Sequence, residues 1–159
     1  MPEPDVIDFG GEVLTVVRSS AEELVLDATW SPGTPAPPPH LHPRQAEHFL
    51  MLEGELTVDV DGTVRVLSAG DTLDIPVATR HRMWNPSTVP ARATWTTTPA
   101  LRTEELFRAL AEVGGRRANP VAAAAVLMRH RDEIRLALPG PVEPVAVHTL
   151  GTVGRILGR

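Results

Sequence analysis

Between positions 37 and 54 the chain reads PPPHLHPRQAEHFLMLEG, which places three of its six histidines beside a glutamate. Imidazole and carboxylate groups at this density suit a zinc, iron, manganese or nickel ion. The competing reading is a polar loop that happens to be rich in histidine. In extended chain, side chains two apart share a face, so His40 and His42 point the same way. Glu47 opens the next strand after a short turn that can swing its carboxylate back toward those imidazoles. The same alternation puts Phe49 and Met51 on the Glu47 face and His48 with Leu50 on the other, so His48 is not expected to be a ligand. A further histidine, His81, lies in GDTLDIPVATRHRMWN (70–85), with Met83 and Asn85 on its face.

What the chain lacks narrows the chemistry further. Its 159 residues include no cysteine, no tyrosine and no lysine, and all 15 basic residues are arginine. That removes thiol nucleophiles, Schiff-base lysines, phosphate-loop lysines and tyrosine acid–base catalysis. Any reaction must run on His, Asp, Glu, Ser, Thr, Arg or a bound metal. Residues 1–99 carry 14 acids against 6 arginines (−8), and residues 100–159 carry 6 acids against 9 arginines (+3). An acidic body repels phosphate backbones, so nucleic acid is not an expected partner. No apolar run approaches the roughly 18 residues that a bilayer span needs. The opening MPEPDVIDFGGE is acidic and lacks the basic-then-apolar pattern of a signal peptide, so a soluble, cytoplasmic protein is expected.

The elements that must position these residues are strands. Runs at 12–18, 22–30, 48–52, 55–60, 63–67, 72–75, 79–84 and 91–98 are β-branched or alternating, with turn signals between them. Asp61-Gly62 is a strong two-residue hairpin signal. Many short strands at regular spacing predict an all-β sandwich or barrel over residues 1–100. Beyond Pro99 the period changes. Helices are expected over 102–113, from Asn119-Pro120 to about 138, and more weakly over 145–157. Residues 101–159 thus form a helical extension packed on the barrel or on a partner subunit. Arg129, Arg131 and Arg135 are read as a solvated helix face, and His130 and His148 as isolated.

At this point the sequence resembles the cupin superfamily. His40, His42, Glu47 and Gly54 match its first motif in type and spacing, and Gly70, Pro76, His81 and Asn85 match its second. Two positions depart: Ala78 stands where glycine is usual, and Gly33 lies one residue further from His40 than the motif glycine. The resemblance implies a double-stranded β-helix (jelly-roll) barrel whose lumen holds one divalent transition metal (Fe, Mn, Ni or Zn) on His40, His42, Glu47 and His81. It also implies a homodimer, with Trp84, facing away from the lumen, as a candidate contact.

Beside that ion the lumen should present Phe49, Met51, Met83, Trp95 and Thr97. This wall suits an apolar or aromatic small molecule better than a sugar phosphate. A metal-dependent oxygenase resembling the quercetinase-like cupins is favoured, with Glu47 doubling as ligand and base. The alternatives are a redox-neutral metal-dependent isomerase, cyclase or lyase, and a non-catalytic binding or sensor protein. Sugar epimerases of the group are set aside because their tyrosine has no counterpart here, and two-domain oxalate enzymes because of length.

Overall fold

The computed structural model describes residues 1–138; the expected helix over 145–157 and His148 lie outside the described residues. The elements run β1 Val6–Asp8, β2 Glu12–Ser19, β3 Leu24–Trp30, β4 His40–Leu41, β5 Ala46–Glu53, β6 Glu55–Val60, β7 Thr63–Ser68, β8 Thr72–Ile75, β9 His81–Trp84 and β10 Ala91–Thr98. They are followed by α1 Thr103–Glu112, a 3-10 turn Gly115–Arg117, α2 Pro120–Arg129 and β11 Arg135–Leu136. Two antiparallel sheets face each other, ordered β1-β2-β3-β10-β5-β8 and β11-β4-β9-β6-β7. The fold is the mainly β barrel with C-terminal helices that the pattern predicts.

Alternation decides which side chains enter. Along β5, Glu47, Phe49 and Met51 are buried while His48 and Leu50 are exposed. Along β10, Ala91, Ala93, Trp95 and Thr97 are buried. Turn chemistry fixes the register between strands. Asp61 and Gly62 adopt φ of 51° and 85°, the positive pair that joins β6 to β7 in a two-residue hairpin. A Cβ at Gly54 would stand 2.2 Å from Pro90 O, so only glycine lets these two turns pass.

Ala78, in the place of the usual glycine, still takes the left-handed conformation at φ 59°. Its N–H donates to His42 O at 2.8 Å, which ties the loop before His81 to the strand of His40. The conformation strains alanine by roughly 1–2 kcal/mol, partly offset by glycine's greater freedom when unfolded. Ala78→Gly is therefore expected to stabilise the protein by about 0.5–1 kcal/mol, read as a rise in the urea midpoint.

The helical extension packs on one end of the barrel. Leu106 and Phe107 of α1 are buried, and the Phe107 ring lies 5.8 Å from Phe9 and 5.3 Å from Trp95. Gln45, 1% exposed, anchors the start of α1: its Nε2 reaches Pro99 O at 2.8 Å, Ala100 O at 2.9 Å and Thr103 Oγ1 at 2.6 Å.

The second helix corrects an expectation. It stops at Arg129 instead of continuing to about 138. His130 N donates to Val126 O and Leu127 O, and the chain then turns so that Arg135 and Leu136 pair with Leu41 and His40. The reason is an open backbone edge. The two-residue β4 bonds β9 on one side only, and the tail satisfies the groups on its other side. Arg135 accordingly belongs to a strand and not to the helix face on which it was expected.

Candidate metal centre

The site spans the two sheets. His40 of β4 and His81 of β9 stand directly opposite each other in one sheet, His42 follows β4 at once, and Glu47 projects from β5 in the other, between Thr97 and Ile75. One ring nitrogen from each histidine lies within 4.8 Å of the others. Three histidines are thereby positioned to bind a metal ion.

Backbone carbonyls set the orientation of all three rings. His40 Nδ1 lies 3.2 Å from Pro38 O, His42 Nδ1 2.7 Å from Glu133 O, and His81 Nδ1 2.8 Å from Thr79 O. A carbonyl only accepts, so each Nδ1 must carry the proton. Every neutral imidazole is thus left with its Nε2 lone pair free, which is the tautomer a metal ligand needs.

The carboxylate sits among these Nε2 atoms. Glu47 Oε1 is 3.2 Å from His42 Nε2 and Oε2 is 2.9 Å from His81 Nε2. Oε1 also accepts a hydrogen bond from Trp95 Nε1 at 3.0 Å. Proximity does not satisfy the groups, because His42 Nε2 and Glu47 Oε2 are buried without a hydrogen bond. Unpaired buried groups of this kind are costly, and a cation between them would satisfy both. The residues therefore fit a metal ion.

Electrostatics follow the geometry. Burial, then the charges His81 and His42 would carry, lower the His40 pKa from 6.5 to about 3, so this imidazole stays neutral. Burial opposes charge on His42 as well, but the adjacent Glu47 carboxylate outweighs it and raises that pKa above 6.5. For Glu47, burial resists ionisation, yet His42 and His81 hold the carboxyl well below its ordinary range. Glu47 is thus the anionic group of the site, and His42 is the imidazole for which a cation and a proton compete. Below pH 6.5, metal affinity is expected to fall by about tenfold per pH unit, one proton being released per ion bound. Competitive titration with a chromophoric chelator from pH 7.5 to 5.5 measures the slope; a flat profile contradicts the assignment.

The expected wall residues all face inward. Phe49, Met51 and Thr97 are buried, as are Met83 and Trp95 at their slightly higher exposure. Trp95 stacks on Phe49 at 5.2 Å while its indole N–H donates to Glu47, so it orients the carboxylate. His48 lies outside, bonded to Asp74 Oδ1 at 2.7 Å, as alternation requires. Trp84 is half-buried, with the Arg82 guanidinium 5.5 Å from its ring centre. His130 is buried in the extension, 3.5 Å from Glu105 Oε1 and away from the three clustered histidines. The Glu133 carbonyl on His42 carried no sequence signal, since any residue supplies a backbone oxygen. No helix among the described residues is long and apolar enough to cross a membrane.

Comparison with known proteins agrees with this architecture. Residues 27–97 match the family described as Cupin domain. Over 50 residues the chain is 34% identical to a putative mannose-1-phosphate guanylyltransferase of Vibrio cholerae, covering 31% of this chain and 11% of that one. Over 54 residues it is 33% identical to the probable oxidoreductase virH of Hypocrea virens, covering 33% and 25%. The chain thus spans a quarter or less of the length of these relatives. Among solved structures it is similar to KdgF from Halomonas sp., with a TM-score of 0.57 at 21% identity, covering 63% of this chain and 92% of that one.

Proposed function

From the premise that the chain carries a cupin domain with three histidines positioned for a metal, we propose that it is a metal-dependent oxygenase for a small apolar or aromatic molecule. His40, His42, His81 and Glu47 would hold the ion. The observation that carries this reading is the convergence of three carbonyl-oriented imidazoles and an unsatisfied carboxylate oxygen beside an apolar wall. When bound, iron, manganese or nickel supplies redox chemistry toward dioxygen, which zinc does not.

The chain's own residues supply the rest. Phe49, Met51 and Met83 exclude water and receive the apolar body of the substrate. Trp95 fixes Glu47 Oε1, and Glu47 would serve both as a ligand of the ion and as the base for a substrate hydroxyl. The relative named as a probable oxidoreductase supports the redox reading. We place the protein in solution as a homodimer, which light scattering would show as twice the 17.2 kDa chain mass.

The test is oxygen uptake. Protein loaded with iron, manganese or nickel is expected to consume O2 in the presence of a phenolic aromatic compound, and zinc-loaded protein is not. Turnover of the same compounds without oxygen uptake would assign the redox-neutral reading, and binding without turnover would assign a sensor.

A further inference from the structure

Glu133 gives His42 a backbone oxygen, yet its side chain is the unusual part of the residue. It sits in the turn after α2 and is 2% exposed. Carboxylates are seldom buried so fully without partners. One oxygen, Oε2, has no hydrogen bond. The other, Oε1, accepts from Arg102 N at 3.3 Å and lies 3.4 Å from Arg102 Nε. Among the described residues, Arg102 is the one cation paired with it.

Arg102 stands where three segments meet. It is the N-cap residue of α1, so the backbone N–H that Glu133 accepts belongs to the helix start. Its Nη2 donates to Arg129 O at 2.6 Å and satisfies a carbonyl at the C-terminal end of α2. Its Nη1 lies 3.7 Å from Glu105 Oε1. Beyond α2 the chain turns tightly, with Glu133 N and Ile134 N both donating to His130 O at 2.9 Å. The guanidinium thus fastens both ends of the turn, Arg129 at its start and Glu133 at its close.

Residue 133 faces two ways across that turn. Its carboxylate meets Arg102, while its carbonyl oxygen lies 2.7 Å from His42 Nδ1. We propose that Arg102 is a positioning residue of the metal centre: its pairing with the buried Glu133 carboxylate keeps the turn seated and holds the Glu133 carbonyl on His42. The effect on the ion rests on the metal-site reading; the effect on the His42 ring does not.

The pair has an asymmetric signature. Removing one partner of a buried ion pair leaves an uncompensated charge, whereas removing both is often close to neutral. Without Arg102, the Glu133 carboxylate is driven toward water, the turn swings out with it and His42 loses its acceptor. Neutralising Glu133 does little harm. The amide oxygen of a glutamine still accepts from Arg102 N, and the Arg102 side chain, 51% exposed, stays hydrated.

Arg102→Gln, Glu133→Gln and the double variant are compared in the full chain by two readouts. One is solvent exchange of the His42 Nδ1 proton in metal-free protein, followed by NMR. The other is zinc affinity by chelator competition. Arg102→Gln is expected to speed the exchange by about tenfold. It should also weaken zinc by about tenfold, the lower end of what loss of a ligand's outer partner costs. Glu133→Gln should stay within about twofold of the native protein on both readouts, and the double variant should recover to that level. A contribution to stability alone gives no such recovery, because independent losses add. Should Arg102→Gln not fold, a double variant that folds and matches Glu133→Gln supports the proposal equally. Native exchange at His42 in Arg102→Gln would overturn it, as would faster exchange with unchanged zinc affinity. So would a double variant that is no better than Arg102→Gln or fails to fold. If the native protein binds no zinc while the His42 proton still responds to Arg102→Gln and recovers in the double variant, the metal reading falls and the hold of Arg102 on His42 stands.

Discussion

His81→Ala is expected to abolish stoichiometric metal binding, whereas His48→Ala leaves it unchanged. The two histidines are chemically alike and differ in where the chain places them. His81 is 2% exposed, its Nδ1 is held by Thr79 O and its Nε2 lies 2.9 Å from Glu47. Removing it deletes one of three converging imidazoles and leaves Glu47 Oε2 facing an empty space. The loss should exceed the roughly 10–100-fold that deletion of an outer hydrogen-bond partner costs. His48 lies one residue beyond Glu47 on the opposite face of β5, against Asp74. Dissociation constants from chelator competition decide the matter, and equal effects of the two substitutions would contradict the face assignment.

Stopping the chain after Arg129 is expected to weaken metal binding by roughly 10–100-fold, although every proposed ligand remains. The comparison is a chain stopped after Leu138, which keeps every described contact. The segment between them supplies the Glu133 carbonyl that holds His42 Nδ1 at 2.7 Å. It also supplies β11, which pairs with His40 and Leu41. Without that acceptor the His42 ring can rotate or change tautomer, and its Nε2 no longer converges with the other two. Glu133 is itself pinned, since its Oε1 accepts from Arg102 N at 3.3 Å and lies 3.4 Å from Arg102 Nε. Ala137→Pro gives a finer test, because it deletes only the N–H that donates to Pro39 O at 2.9 Å. A loss of about threefold is expected there. Circular dichroism should show the sheets intact in each variant. Wild-type metal affinity in the chain stopped after Arg129 would show that the extension is dispensable to the site.

The legibility of these features in the sequence follows from what encodes them. β8 and β10 have the bounds expected from their alternation, because one face of each is buried and the period-two signal is strong. His40, His42, Glu47 and His81 stood out because side-chain type and spacing carry the chemistry themselves. β1 and β11, of three and two residues, are too short to show a period. The turn after Arg129 was hidden because the partner that redirects the chain, the free edge of β4, is about 95 residues away along the sequence. Trp95 was legible as an inward residue but not as the donor to Glu47, since alternation gives a face and not a hydrogen bond. Arg102 had the same difficulty: it reads as a helix start until the fold sets its guanidinium beside Glu133.

The most direct test is elemental analysis of the full chain, purified without a tag or chelator. Close to one iron, manganese or nickel ion per chain is expected, lost on dialysis near pH 5 as protons compete for His42. Protein that carries no metal as purified, and takes none up on titration at neutral pH, would contradict it. Stoichiometric zinc would keep the site and overturn the oxygenase.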